Sequence, residues 1–185
     1  MSFYVKYLQE ISTKIQAVDE AMLSQVSAML RETQQRKTKV IIAGNGGSAA
    51  IASHVAVDLT KTVGVRAINF NEADLITCLA NDFGYEQWVA KALEHYADAG
   101  DLVILISSSG RSANIVNGAA KAKEMGLDVV TFSGFDKNNA LRKSGTVNFW
   151  VDSRDYNVVE MTHHVWLLAA ADQLVHNDIK EKVKA

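Results

Sequence analysis

VIIAGNGGSAA, residues 40–50, sets a short apolar run against three closely spaced glycines and a helix-forming Ser-Ala-Ala. A strand that ends in Gly44-Asn45-Gly46-Gly47-Ser48 and passes straight into a helix gathers backbone N–H groups at the strand's carboxyl end. The helix start adds positive partial charge at the same place. The guest such a turn favours is an anion, phosphate above all. A strand, a glycine turn and a helix in this order predict an α/β fold, where ligands bind at the carboxyl ends of strands.

Working outward, residues 65–69, 102–106, 128–132 and 147–151 read as further short, β-rich apolar runs beside 40–43. Helical periodicity fills the gaps: 48–60, 72–80 with 87–96, 112–125 and a brief 137–143, then a long final helix from 156 to about 175. Gly126 stands where a helix ending at Met125 needs its stop. Strands alternating with helices predict a three-layer unit, a parallel sheet covered on both faces. No linker, repeat or low-complexity stretch interrupts it.

Composition narrows the function classes. Hydrophobic residues make up 48% and charged residues 22% of the 185-residue chain, the balance of a folded globular protein. A net charge of −2 gives no global field for nucleic acid or an anionic membrane. No apolar run approaches the ~18 residues of a membrane span. Cys78 is the single cysteine, which fits a reducing cytoplasm, and its flanks Ile76 and Leu79 predict a buried thiol.

The first 36 residues stand apart from the sheet. Tyr4, Leu8, Ile11, Ile15, Val18 and Met22 repeat at 4-3-4-3-4, the seam of one long helix. Such a helix overhangs a compact unit of about 150 residues, so part of its stripe needs another partner. The last helix is apolar around much of its circumference. Together they predict an N-terminal oligomerisation helix over 1–36, a ligand-binding unit over 37–185, and a homo-oligomer packed through helices.

A second turn carries the ligand argument. Residues 102–106 run directly into Ser107-Ser108-Ser109-Gly110-Arg111-Ser112, which delivers hydroxyls and a glycine to the start of another helix. Hydroxyls with free helix N–H groups form a phosphate cradle. The lysine-containing P-loop is excluded, because alanines follow Ser48. A dinucleotide reading of Gly44, Gly46 and Ala49 wants an acidic residue closing the second strand, where Asn69 stands; Glu72 lies a little later.

Three stretches in order, Gly44-Asn45-Gly46-Gly47-Ser48-Ala49, Ala80-Asn81-Asp82-Phe83-Gly84 and 106–114, resemble the signatures of the sugar isomerase (SIS) domain family. The branch they resemble is the bacterial phosphoheptose isomerases, which convert sedoheptulose 7-phosphate to a heptose 7-phosphate. The resemblance spans essentially the whole chain. It implies a flavodoxin-like five-stranded parallel sheet, a cytoplasmic homotetramer, and a sugar phosphate held by Asn45, Gly46, Gly47, Ser48, Asn81, Asp82, Ser107, Ser108, Ser109 and Ser112.

The catalytic pattern matches only in part. The family supplies His and Glu four residues apart on the first helix of the sheet, then Gln and His eight apart on the last, and these four can hold zinc. His54 and Asp58 keep the first pair, with a carboxylate one methylene shorter. The second pair becomes Val159 and Leu167, which neither ligate metal nor move protons. An arginine of the family is also missing near Lys61 and Thr62. His163 stands between Val159 and Leu167 on one stripe, so His54, Asp58 and His163, with Glu160 beside them, form a candidate acid/base set, or a His/Asp/His metal site with an open position. A histidine on an apolar helix is also a common core residue. His164 and His176 read as structural or surface groups. Zinc is expected to bind weakly at His54 and Asp58 or not at all, and no cofactor is required. The rival class is a non-catalytic sugar-phosphate sensor, as in the DnaA-initiator-associating proteins, which resemble the same branch.

Overall fold

The computed structural model describes the backbone of residues 1–184 and the side chains of residues 1–180. Its centre is a sheet of five parallel strands: β1 (Val40–Gly44), β2 (Ala67–Asn69), β3 (Leu102–Ser107), β4 (Asp128–Ser133) and β5 (Val147–Trp150). The order across the sheet is β2-β1-β3-β4-β5. Val40 lies opposite both Ala67 and Leu102, and Gly44 opposite Ile106. This is the flavodoxin-like order, in which β1 and β3 flank the point where the winding reverses.

Seven helices surround the sheet: α1 (Phe3–Gln16), α2 (Glu20–Arg36), α3 (Gly47–Asp58), α4 (Ala73–Phe83), α5 (Trp88–Tyr96), α6 (Ala113–Glu124) and α7 (Tyr156–Lys184). Alternation along each strand feeds two cores. Val40, Ile42, Ile104 and Phe132 pack against Leu30 of α2, Ile51 and Val55 of α3, and Trp166 of α7. Ile41, Ala43, Val103 and Leu105 pack against Leu79 of α4, Trp88 and Leu93 of α5, and Ile115 of α6. Each buried aliphatic side chain contributes about 1.5–3 kcal/mol. β1 and β3 are buried along their whole length, which is why they read as uninterrupted apolar runs rather than alternating ones.

Four sequence expectations are corrected here. Residues 1–36 form two helices, not one. Asp19 turns out of the helix at φ −80, ψ 110 and accepts a 2.9 Å hydrogen bond from the Ala21 N–H, so it starts α2 as an N-cap. α7 runs to Lys184 rather than stopping near Val175. The 137–143 segment is helical only over one tight turn, Leu141–Lys143. Cys78 is exposed, because α4 turns Leu79 into the core and leaves its neighbour outside. α3 continues beyond Asp58 in a wider π turn, Leu59–Val63, closed by Gly64 at φ 76.

Candidate functional site

The turns after β1 and β3 open side by side where the winding reverses. Gly46 precedes α3 with φ 54 and ψ −122, a conformation that favours glycine. Ser112 precedes α6 in extended conformation. Neither helix start receives a side-chain cap. The Ser112 hydroxyl, the natural cap for α6, lies instead 3.1 Å from the Ser107 hydroxyl. Two helix N-termini with unclaimed N–H groups therefore border one cavity of about 290 Å³.

Gly46, Gly47 and Ser48 line that cavity on one side, Ser107, Ser108, Ser109 and Ser112 on another, and Tyr156 and Glu160 of α7 close it. Asn45 also lines it, with its amide committed elsewhere. It exchanges two 3.0 Å hydrogen bonds with the Asn114 amide and accepts a third from the Tyr85 hydroxyl. That pairing ties the β1 turn to α6 and fixes the spacing of the turns after β1 and β3. On the outer side, Arg111 bridges to Asp136 at 2.7 Å, joining the turns after β3 and β4.

Glu160 is the one carboxylate among the cavity's lining residues. Burial pushes its carboxyl above the usual carboxylate range, and a 3.3 Å hydrogen bond from the Ser108 hydroxyl opposes the shift. One turn further along α7, His164 Nε2 lies 2.8 Å from His54 Nδ1, with the rings edge-on. His54 Nε2 is in turn 3.5 Å from Asp58. Burial pushes the His164 imidazole down, as does neighbouring His54, while Asp58 acts the other way. A carboxylate, two imidazoles and a second carboxylate thus run from the turns after β1 and β3 along the groove between α3 and α7.

Tyr156, Glu160 and His164 stand at i, i+4 and i+8, one stripe of α7. This is not the stripe the sequence points to. Val159, His163 and Leu167 are all buried in the core. His163 is withdrawn from the candidate set: its ring is fully buried, Nε2 is 3.0 Å from the Ser133 carbonyl, and Phe132 and Trp166 pack around it. Burial lowers its pKa to about 4. Between two apolar neighbours on one stripe, the imidazole follows them into the sheet. His164, read from sequence as structural or surface, replaces it beside His54. The signal that finds His164 is its i+4 spacing from Glu160, and the same spacing in the other direction finds Tyr156. Asn81 and Asp82 are exposed at the end of α4 and bond to each other at 2.9 Å; they are not part of the cavity lining.

The donor set does not fit a zinc ion. The two positions expected to complete the ligand set are apolar and buried, and both His54 ring nitrogens face protein neighbours. Among the described residues no three His, Cys, Asp or Glu side chains form a metal-holding group.

A model of the SIS domain matches residues 3–134 of the chain. The chain belongs to the SIS domain family. This SIS protein is 33% identical over 139 residues, 72% of each chain, to a phosphoheptose isomerase of Helicobacter pylori. It superposes on the phosphoheptose isomerase GmhA of Neisseria gonorrhoeae with a TM-score of 0.83 at 22% identity, covering 92% of this chain and 94% of that one. Vibrio vulnificus NanR, solved in complex with ManNAc-6P, gives a TM-score of 0.66 at 17% identity, covering 96% of this chain and 61% of that one. At those identities the two structures establish a shared fold.

Proposed function

We propose that this SIS protein is an aldose–ketose isomerase of phosphorylated sugars, with sedoheptulose 7-phosphate as first candidate because its relatives are phosphoheptose isomerases. The observation that carries the reading is Glu160. A carboxylate held above its usual pKa stands in the same cavity as two uncapped helix N-termini. That pairs a proton carrier poised nearer neutrality with a built anion site.

In the proposed mechanism the phosphate sits on the 107–112 turn, held by serine hydroxyls and the first N–H groups of α6. The polyol lies toward Gly46, Gly47 and α7. Glu160 takes the proton from the carbinol carbon next to the carbonyl, leaving an enediolate, and returns it to the former carbonyl carbon. The hydroxyl proton moves meanwhile from one oxygen to the other, and the His164–His54 pair is the group available to carry it. The reaction runs on carboxylate and imidazole without zinc or another cofactor, in keeping with the donor set. Cytoplasmic residence belongs to the same proposal, supported by the lone thiol. No described helix is long and apolar enough to cross a membrane.

The test is a panel of aldose and ketose phosphates incubated in deuterated water, with and without a chelator. Wild type should wash deuterium into the carbon next to the carbonyl in both conditions. Glu160→Gln should lose roughly 10²–10⁴ of the rate. A wild-type protein that binds these sugars yet exchanges no proton would overturn the reading. It would favour a non-catalytic sensor instead, the alternative that Val159 and Leu167 support.

A further inference from the structure

The cavity holds one aromatic side chain that phosphate recognition does not need. Tyr156, the first residue of α7, lines it beside the serine turn and Glu160. Its ring meets that of Phe135 edge-on, with centroids 4.8 Å apart. Phe135 follows β4 in the left-handed region at φ 56, rare for a residue with a bulky side chain. Its N–H donates to the Ser153 carbonyl at 2.9 Å, and its ring packs partly into the main core. A backbone in a sparsely populated conformation persists only where its surroundings fix it, and such residues gather at binding sites.

From this geometry we infer that Tyr156 is the residue that reads the polyol of the ligand and so separates a phosphorylated sugar from phosphate alone, and that Phe135 is its positioning residue. The inference rests on the sugar-phosphate reading of the cavity. The division of labour follows from chemistry. The serine turn and helix N-termini offer N–H and hydroxyl donors suited to a charged oxygen and indifferent to what the phosphate is attached to. A sugar also presents a C–H face and a row of hydroxyls. An aromatic ring with one polar tip matches both at low entropic cost, because it has few rotatable bonds. Tyr156 is a full turn from Glu160 on one stripe, so a chain anchored at the serine turn and lying past Glu160 borders it. Phe135, anchored in the core below, fixes the orientation of the tyrosine ring by its edge-on contact.

The test compares two probes, inorganic phosphate and sedoheptulose 7-phosphate, by calorimetry on the full chain and on Tyr156→Phe, Tyr156→Ala and Phe135→Leu. Because Tyr156 is exposed at a helix start, its variants should fold, which circular dichroism checks. Phosphate affinity should be unchanged in all three. Sugar-phosphate affinity should fall about three- to tenfold in Tyr156→Phe and further in Tyr156→Ala, with Phe135→Leu between wild type and Tyr156→Ala. Equal affinities for the sugar phosphate in wild type and Tyr156→Ala, with phosphate still bound, would overturn the role of Tyr156 and leave the cradle standing. A wild type that binds neither probe would overturn the cradle and this inference with it.

Discussion

The Glu160 carboxylate stands where a side chain at position 47 would have to go. A Cβ built on Gly47 lies 2.0 Å from Glu160 Oε2 and 2.6 Å from its carboxyl carbon. Glycine is required at 47 for this close approach. The contact sets an anionic group at the start of α3, where the helix's positive end offsets part of the cost of burying it.

Gly47→Ala tests that relationship directly. Alanine suits a helix better than glycine, so the fold should survive while Glu160 is pushed aside. A displacement on the order of 1 Å at a reacting group costs about a hundredfold in rate. The expected outcome is a cooperative thermal transition with isomerase activity down by that order. Full activity in Gly47→Ala would show that the position of Glu160 does not matter.

The Glu160 carboxyl also predicts how stability depends on pH. Its folded pKa is raised, so in the window above the ordinary carboxylate value the unfolded chain binds fewer protons than the folded one. Stability therefore falls as pH rises through that window, and the loss is complete above the raised pKa. Glu160→Gln should melt higher than wild type at pH 8 and lose that advantage as the pH approaches 4. Catalysis should run the opposite way in wild type, with kcat/KM rising as Glu160 ionises. A pH-independent difference in Tm would refute the raised pKa.

These two residues mark the boundary of what the sequence makes legible. The five strands and the turns after β1 and β3 follow from local signals, apolar runs that end in glycine or serine before a helix, while the flavodoxin-like sheet is implied by the family resemblance alone. Glu160 enters the candidate set in the sequence as a neighbour of His163. The face of α7 that borders the cavity is not legible there. Polar residues occur on several stripes of that helix, and only packing against β4 and α3 decides that 159, 163 and 167 go inward while 156, 160 and 164 face the groove. The break at Asp19 is a finding of the structure, because the heptad spacing passes smoothly over it. Seam periodicity survives a three-residue joint between helices, so it could not report the joint.

His163 supplies a prediction about acid. With its folded pKa near 4 and an ordinary value near 6.5, the unfolded chain takes up a proton that the folded chain refuses. Stability contributed by the neutral ring is present above pH 6.5 and is lost as the pH falls, by about 2 kcal/mol between pH 7 and 5. His163→Leu should remove this loss. The Ser133 carbonyl keeps a 2.9 Å hydrogen bond from the Val151 N–H, so the substitution leaves no buried acceptor bare. Urea unfolding at pH 7 and pH 5 measures the difference, and equal pH dependence in the two proteins would contradict it.

The phosphate cradle predicts a specific loss of binding. Ser107, Ser109 and Ser112 contribute hydroxyls to one turn, and a hydrogen bond to a charged oxygen is worth about 1.5–3 kcal/mol. The triple substitution Ser107→Ala/Ser109→Ala/Ser112→Ala should weaken sugar-phosphate binding by roughly a hundredfold or more in calorimetry. The Asn45–Asn114 pairing, untouched by these changes, should keep the fold intact. Unchanged affinity would move the phosphate to another part of the cavity.

Assembly is the last prediction, and it rests on how the N-terminal seam is divided. Ile11 and Ile15 are partly buried, and Trp166 Nε1 donates to the Ile15 carbonyl at 2.8 Å, so the far half of α1 packs on α7 of its own chain. The near half has no such partner: Phe3 is 72% and Leu8 64% exposed. A third stripe of α7 continues the pattern, with Met161 and Val165 outward and exposed four residues apart. Apolar side chains repeated at helical spacing and left outside a core are the material of an interface. The expected state is a dimer or tetramer joined through α1 and α7. Phe3→Glu/Leu8→Glu should lower the mass seen by light scattering at micromolar concentration while leaving the circular dichroism spectrum unchanged, because neither side chain supports the core. A wild-type chain that is monomeric under those conditions would refute the prediction and leave the exposed seam without an explanation.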